Sequence, residues 1–178
     1  VTHYLSCENQ LKDFFTEVEW LLHDKPVRDY DYYYDQVVCS GELFSTVIVS
    51  AYLNEAGIIN KWLDVRDIFR TDDDFRDASI DWEFTTAKVQ SIVAKEFETT
   101  DIVLTQGFIG ATDENESTTL GREGSDYTAA VFANMLNAES LTIWKDVESV
   151  MNADPKQFPD AIAIPELNYN EVIEMAYY

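Results

Sequence analysis

The residues best suited to chemistry gather around glycines. Thr118 to Ala130 reads TTLGREGSDYTAA, with Gly121 and Gly124 flanking Arg122, then Ser125 and Asp126, then small residues that favour a helix. N–H groups in the first turn of a helix lack partners within it and attract anions. A guanidinium adds a planar fork that matches a carboxylate. The pattern predicts a seat for an anion, while Ser125 or Asp126 could equally serve as a plain N-cap. Gly107-Phe108-Ile109-Gly110 is a second glycine-bracketed turn, either a close approach of backbone to a ligand or simply a tight corner. Gly41-Glu42 reads as a helix opening, where a carboxylate suits the helix dipole with or without a ligand. A further loop, 145–156, holds Lys145, Asp146, Met151 and the turn Asp154-Pro155-Lys156.

These groups need strands and helices to hold them. Apolar residues at Leu11, Phe14, Phe15, Val18, Leu21 and Leu22 recur at helical spacing, predicting a helix over 8–24 that ends at Lys25-Pro26. The tyrosine-rich stretch Asp29 to Asp35 predicts a packing helix. Val37 to Glu42 leads into an apolar helix, Leu43 to Ala56, stopped by Gly57. Lys61 to Val65 reads as a short buried strand, Arg70 to Asp77 as a charged loop, and Asp81 to Phe97 as a helix. Asp101 to Gln106 is a β-branched run closing on Gly107, hence a buried strand. Ala111 to Thr119 is expected to be a mobile polar loop, Ser125 to Asn137 a helix, Leu141 to Trp144 a strand and Asn168 to Tyr178 a helix. Strands alternating with long helical stretches predict βαβ units and a mainly parallel sheet, with ligands beyond the carboxyl ends of its strands.

Composition narrows the function. The 178 residues suffice for one domain, or a large piece of one, and 46% are hydrophobic. Twelve Lys and Arg against 34 Asp and Glu give a net charge of −22, which excludes the clustered cations that nucleic-acid binding requires. The sequence shows no apolar run approaching a membrane span and no secretory leader, so the cytoplasm is the expected compartment. Cys7 and Cys39 are expected to be reduced thiols, and no Cys/His spacing fits a metal site. His3 and His23 are remote in sequence from every glycine loop, leaving a Ser-His-Asp or Cys-His mechanism without a base. No P-loop or G-x-G-x-x-G fingerprint is present.

Taken in order, the motifs resemble aspartokinase, within the amino-acid kinase family. They are S-G-E-L-F-S at 40–45, W-L-D-V-R at 62–66, R-T-D at 70–72 and T-Q-G-F-I-G at 105–110. T-T-L-G-R-E-G-S-D-Y-T-A-A at 118–130, I-W-K-D-V at 143–147 and D-P-K at 154–156 complete the set. The resemblance runs from about residue 35 to the end, and its wording is more similar to single-function, lysine-pathway members than to forms fused to homoserine dehydrogenase. It implies an α/β three-layer sandwich, a mainly parallel central sheet flanked by helices (carbamate kinase-like), here incomplete. It implies a catalytic-domain piece over 35–178, with 1–34 a helical insertion or subdomain.

The resemblance further implies ATP-dependent phosphorylation of the β-carboxylate of L-aspartate, the entry to lysine, threonine and methionine synthesis, with MgATP as co-substrate and a homo-oligomeric enzyme. Arg122 would grip the α-carboxylate, with Gly124, Ser125 and the loop backbone beside it. Glu42 would meet the ammonium, Phe108 would form the aromatic shelf, and Asp126 would orient catalytic lysines. Lys145, Asp146, Met151 and Lys156 would meet the nucleotide. Family members commonly carry Thr, Tyr and Arg where this chain has Lys145, Met151 and Lys156, and a lysine serves phosphate as a point charge rather than a fork. The chain opens on Val1 rather than Met, and the family's K-F-G-G loop with its catalytic lysine does not precede it. A fragment inactive by itself is therefore expected. The alternatives are a glutamate-directed amino-acid kinase and a non-catalytic structural or regulatory module.

Overall fold

The computed structural model describes residues 2–147 and 149–177. Its contacts divide them into two compact units, one ending at Leu141 and the other beginning at Thr142. The 34/35 boundary suggested by the sequence falls inside a helix of the first unit.

Helix α1 spans Thr2–His23 and α2 spans Tyr30–Glu55. Phe14 of α1 is buried with its ring 6.2 Å from both Phe44 of α2 and Trp62. The segment expected in three pieces (a tyrosine strip, a lead-in and an apolar helix) is thus one helix, and Gly41-Glu42 lies in its middle rather than at its mouth. A single interior glycine costs about 1 kcal/mol against alanine, and burial of Cys39, Leu43 and Val47 on one face of α2 outweighs that. By length and composition α2 is long and apolar enough to cross a membrane, contrary to the sequence expectation. From Val37 to Asn54 its one charged residue is Glu42. In this fold the same apolarity supplies core contacts to α1, β1 and β4.

Strand β1, Lys61–Trp62, pairs in parallel with β2, Val103–Leu104, with Lys61 opposite Val103 and Trp62 opposite Leu104. The crossover between them is helical, as the pattern predicts: α3 (Trp82–Lys88), a π-helical turn (Val89–Val93) and α4 (Ala94–Glu96). Asp81 caps α3 by accepting from the Phe84 N–H at 3.0 Å. Strands β3 (Ile109–Ala111) and β4 (Ser117–Thr119) form an antiparallel hairpin. This corrects the expected mobile loop: all three residues of β4 are buried. The polar residues of β4 are satisfied inside the protein. Side chains of α2 occupy its outer edge, Gln36 exchanging two hydrogen bonds with the Ser117 backbone (2.7 and 3.0 Å) and Cys39 Sγ donating to the Thr118 carbonyl. The Thr71 and Thr118 hydroxyls pair at 2.8 Å. Helix α5, Gly124–Met135, closes the unit.

In the second unit, Leu141 to Trp144 (Leu141 itself closing the first) is irregular and exposed rather than a strand. Without a partner strand its β-branched composition does not suffice. Asn152 and Ile162 exchange hydrogen bonds at 3.1 and 2.9 Å across a short antiparallel turn. Helix α6 spans Tyr169–Tyr177.

Candidate functional site

The glycine loops converge where β3 and β4 meet α5. The Leu120 N–H donates to the Phe108 carbonyl at 2.8 Å, and the Phe108 N–H donates to Thr128 Oγ1 at 2.9 Å. Thr128, one turn into α5, donates in turn to the Gly124 carbonyl at 2.8 Å. Phe108 is held at φ +74°, a left-handed conformation that costs a non-glycine residue about 1–2 kcal/mol and that collects at functional sites.

Two glycines make this approach feasible. A Cβ on Gly107 would lie 3.0 Å from Ser125 Cα and 3.2 Å from its Oγ. A Cβ on Gly124 would lie 2.8 Å from the Phe108 ring and 3.2 Å from Phe108 Cα. The two glycine motifs are therefore halves of one corner. Gly124→Ala sets a helix-propensity gain of about 1 kcal/mol against an overpacking cost of about 1–3 kcal/mol, and the wedge against Phe108 Cα cannot rotate away. A net loss of about 1 kcal/mol, a melting temperature lower by about 2–4 °C and weaker ligand binding at the corner are expected; a calorimetric scan and a titration check both.

Gly121 has φ +74°, and Glu123 at φ +59° occupies the N-cap position of α5 without capping it through its side chain. Ser125 and Asp126, the N-caps allowed by the sequence, instead lie inside the first helical turn. The amides of Gly124 and Ser125 thus have no intrahelical acceptor and lie close to Arg122 in sequence. Arg122 is exposed. Among the described residues the other four arginines are engaged: Arg28 with Glu116, Arg66 with Asp64 and Glu17, Arg76 with Asp31, and Arg70 over the Phe84 ring at 4.2 Å. Arg122 has no hydrogen bond or ion pair among them. An uncommitted guanidinium beside a helix mouth that lacks a side-chain cap is a donor group suited to a carboxylate.

Glu42 is half-buried on α2. Its carbonyl accepts from Thr46 Oγ1 at 2.8 Å, and that oxygen accepts from Gln106 Nε2 at 2.8 Å and from Trp62 Nε1 at 3.1 Å. Gln106, 1% exposed, also takes the Val65 N–H on Oε1 at 2.8 Å. Because Gln106 immediately precedes Gly107, this network ties the Glu42 turn of α2 to the chain entering the Phe108 corner. Asp126 is half-buried in the first turn of α5. Lys145, Asp146, Met151 and Lys156 all belong to the second unit. Lys145, Asp146 and Lys156 are exposed, Met151 bridges to Ala163, and the Lys156 N–H is held by Asp154 Oδ1 at 2.9 Å.

Three buried polar residues around these segments escape a reading of the sequence: Asp35, Gln106 and Thr128, whose side chains reach backbone groups distant in sequence. No spacing rule signals such contacts. Cys39 is no nucleophile, since burial first, and then the negative charge of Asp35, push its thiol pKa well up. His23 is exposed at the end of α1, and no metal-binding cluster occurs among the described residues. Two clefts of about 660 and 700 Å³ open elsewhere in the first unit. In the first, Arg28 and Arg66 are already paired; in the second, Asp72, Asp73, Asp81, Asp113, Glu114 and Glu116 outnumber Arg28 and Arg70 and disfavour an anion.

The helical crossover, the parallel pair and the glycine corner at a helix mouth define an α/β protein. The model of the amino acid kinase family matches residues 2–178, and the chain belongs to that family. It is 38% identical over 144 residues to lysine-sensitive aspartokinase 3 of Escherichia coli K12, covering 81% of this chain and 32% of that protein. It is 33% identical over 144 residues to the chloroplastic bifunctional aspartokinase/homoserine dehydrogenase 2 of Arabidopsis thaliana, covering 81% of this chain and 16% of that one. The crystal structure of E. coli aspartokinase III in complex with aspartate and ADP (R-state) superposes with a TM-score of 0.87 at 32% identity, over 96% of this chain and 38% of its own. The fold is the α/β fold of these kinases, and the chain spans a third or less of the length of the curated relatives it matches.

Proposed function

We propose that this chain is the aspartate-holding part of an aspartokinase, which transfers the γ-phosphoryl group of MgATP to the β-carboxylate of L-aspartate. The observation that carries the reading is Arg122: the one arginine uncommitted among the described residues, set beside the uncapped mouth of α5 and the Phe108 corner. Arg122 takes the α-carboxylate, with the Gly124 and Ser125 amides beside it, Phe108 forms the apolar wall, and Glu42 receives the ammonium. The solved E. coli relative with aspartate and ADP supports both ligands.

The chemistry asks little of acid–base groups. A side-chain carboxyl with pKa about 3.9 is already ionised at neutral pH and needs no general base. Its oxygen forms a bond to the γ-phosphorus as the bond from that phosphorus to the ADP oxygen breaks, so catalysis consists of alignment and charge neutralisation. Asp126, beside the seat, would orient the cations that do this. On the nucleotide side Lys145 and Lys156 would supply positive charge, Asp146 would accept hydrogen bonds, and Met151 would pack on the base. We further take the enzyme to be a cytoplasmic homo-oligomer.

Titration calorimetry with L-aspartate and L-glutamate tests the substrate. A side-chain one methylene longer fits a rigid seat less well by about 1–3 kcal/mol, so aspartate is expected to bind at least about tenfold tighter. Preference for glutamate would establish the glutamate-directed alternative, and binding of neither would leave a structural module.

A further inference from the structure

We propose that Asp35 is a positioning residue for the aspartate seat, a buried carboxylate on α2 that fixes where the Arg122 bend begins; this rests on the reading of Arg122 and Glu42 as the two ends of that seat. Asp35 is 0% exposed. Its Oδ2 accepts from the Thr119 N–H at 2.8 Å and from the Arg76 N–H at 2.8 Å, and its Oδ1 accepts from the Thr119 hydroxyl at 2.8 Å. Among the described residues it has no ion pair with a cation. These donors compensate the buried charge, as they must in a low-dielectric interior.

The targets of these bonds separate Asp35 from an ordinary core pin. Thr119 is the last residue of β4, and the chain passes from it directly into Leu120, Gly121 and Arg122. Arg76 sits at φ +74°, a strained conformation for a side-chain-bearing residue, and its turn places Asp77 Oδ1 only 2.5 Å from where a Cβ on Gly121 would be. The Ala78 N–H then donates to the Thr119 carbonyl at 3.0 Å. The strand that delivers the bend and the turn that walls it therefore hang from one carboxylate.

Asp35 and Glu42 are seven residues apart on α2, two turns and about 10.5 Å along the axis, and share a face. Helix α2 thus acts as a rigid spacer, fixing at one end the start of the Arg122 bend and at the other the group that meets the ammonium. An amino acid whose α-carboxylate and α-ammonium are both gripped, two groups on one carbon, is sensitive to how those partners are placed. MgATP is not gripped there.

The test is titration calorimetry of the whole protein with L-aspartate and, separately, MgATP, for wild type, Asp35→Asn, Thr119→Val and Arg122→Ala. Asp35→Asn, which replaces an acceptor oxygen by a donor facing N–H groups, is expected to raise the aspartate Kd about tenfold with the MgATP Kd within about twofold and an unchanged circular dichroism spectrum. Thr119→Val removes only the Oδ1 bond and is expected to raise the aspartate Kd about threefold; the double variant should be no weaker than Asp35→Asn alone, as for two members of one contact. Should Asp35→Asn not fold, Thr119→Val decides. An aspartate Kd unchanged in the variants that fold, or equal weakening of aspartate and MgATP, overturns the proposal. If wild type fails to bind aspartate, or Arg122→Ala binds it as well as wild type, the seat itself is misassigned and the proposal falls with it.

Discussion

Arg122→Ala is expected to weaken aspartate binding about a hundredfold, the largest functional effect of any single substitution in this chain. Hydrogen bonds to charged groups contribute about 1.5–3 kcal/mol each, and a bidentate pair of about 3 kcal/mol corresponds to about two decades in Kd. The helix-mouth amides remain, so binding is reduced rather than abolished. Arg122→Lys keeps the charge but loses the planar fork and is expected to fall between, at about a tenfold loss. Because Arg122 is exposed and has no protein partner among the described residues, neither change should move the melting temperature beyond the about 0.5 kcal/mol typical of surface substitutions. Affinity and stability are thereby separated. Calorimetric titration beside a thermal scan checks both, and an unaltered aspartate Kd in Arg122→Ala would end the proposed role.

Gln106→Ala is expected to cause the largest loss of stability, about 4 kcal/mol. The side chain is 1% exposed, and its removal strips the Val65 N–H of its acceptor and Thr46 Oγ1 of a donor. An orphaned buried backbone donor costs about 1–3 kcal/mol. The cavity left by a side chain of this volume adds about 2 kcal/mol or more. For a chain of this length the melting temperature should fall by about 8–16 °C. Function should suffer too, because Gln106 anchors the residue before Gly107. Gln106→Glu retains the volume and the acceptor for Val65 but sets a carboxylate against the Thr46 hydroxyl and the Leu63 carbonyl in a buried site, and so should also be destabilising. Chemical denaturation with a matched aspartate titration measures both effects, and a loss below about 1 kcal/mol would show that water replaces the lost bonds.

The sequence located most helices because their residue preferences are local: the α3 crossover, α5 and α6 lie within two residues of their expected places, and α1 ends where expected but begins six residues earlier, at Thr2. It misplaced pieces whose state depends on distant partners. Gly41 interrupts a pattern, yet α2 runs through it because its flanks pack on α1 and the hairpin. Ala111 to Thr119 reads as a polar loop, yet Gln36, Cys39 and Asp35 supply the hydrogen bonds that make its last three residues a buried strand, leaving an exposed turn over 113–115. Leu141 to Trp144 has strand composition and no partner.

The same division runs through the site. Arg122, Gly124, Ser125 and Phe108 were visible because a guanidinium among glycines, and a glycine-bracketed turn, carry their chemistry in residue type and short spacing. Their meeting was not visible, since the Gly107–Ser125 and Gly124–Phe108 contacts join segments whose separation in the chain says nothing of their distance. By itself the sequence determined which groups were available: five arginines, no histidine beside a glycine loop, a surplus of carboxylates and two glycine bends. Tertiary structure alone decided that, among the described residues, four arginines are engaged and Arg122 is not, and that a buried carboxylate on α2 holds both walls of its bend. The physical reason is that side-chain chemistry is set residue by residue, whereas hydrogen-bond and charge partners are assigned by long-range packing, which brings together groups about 40 to 85 positions apart.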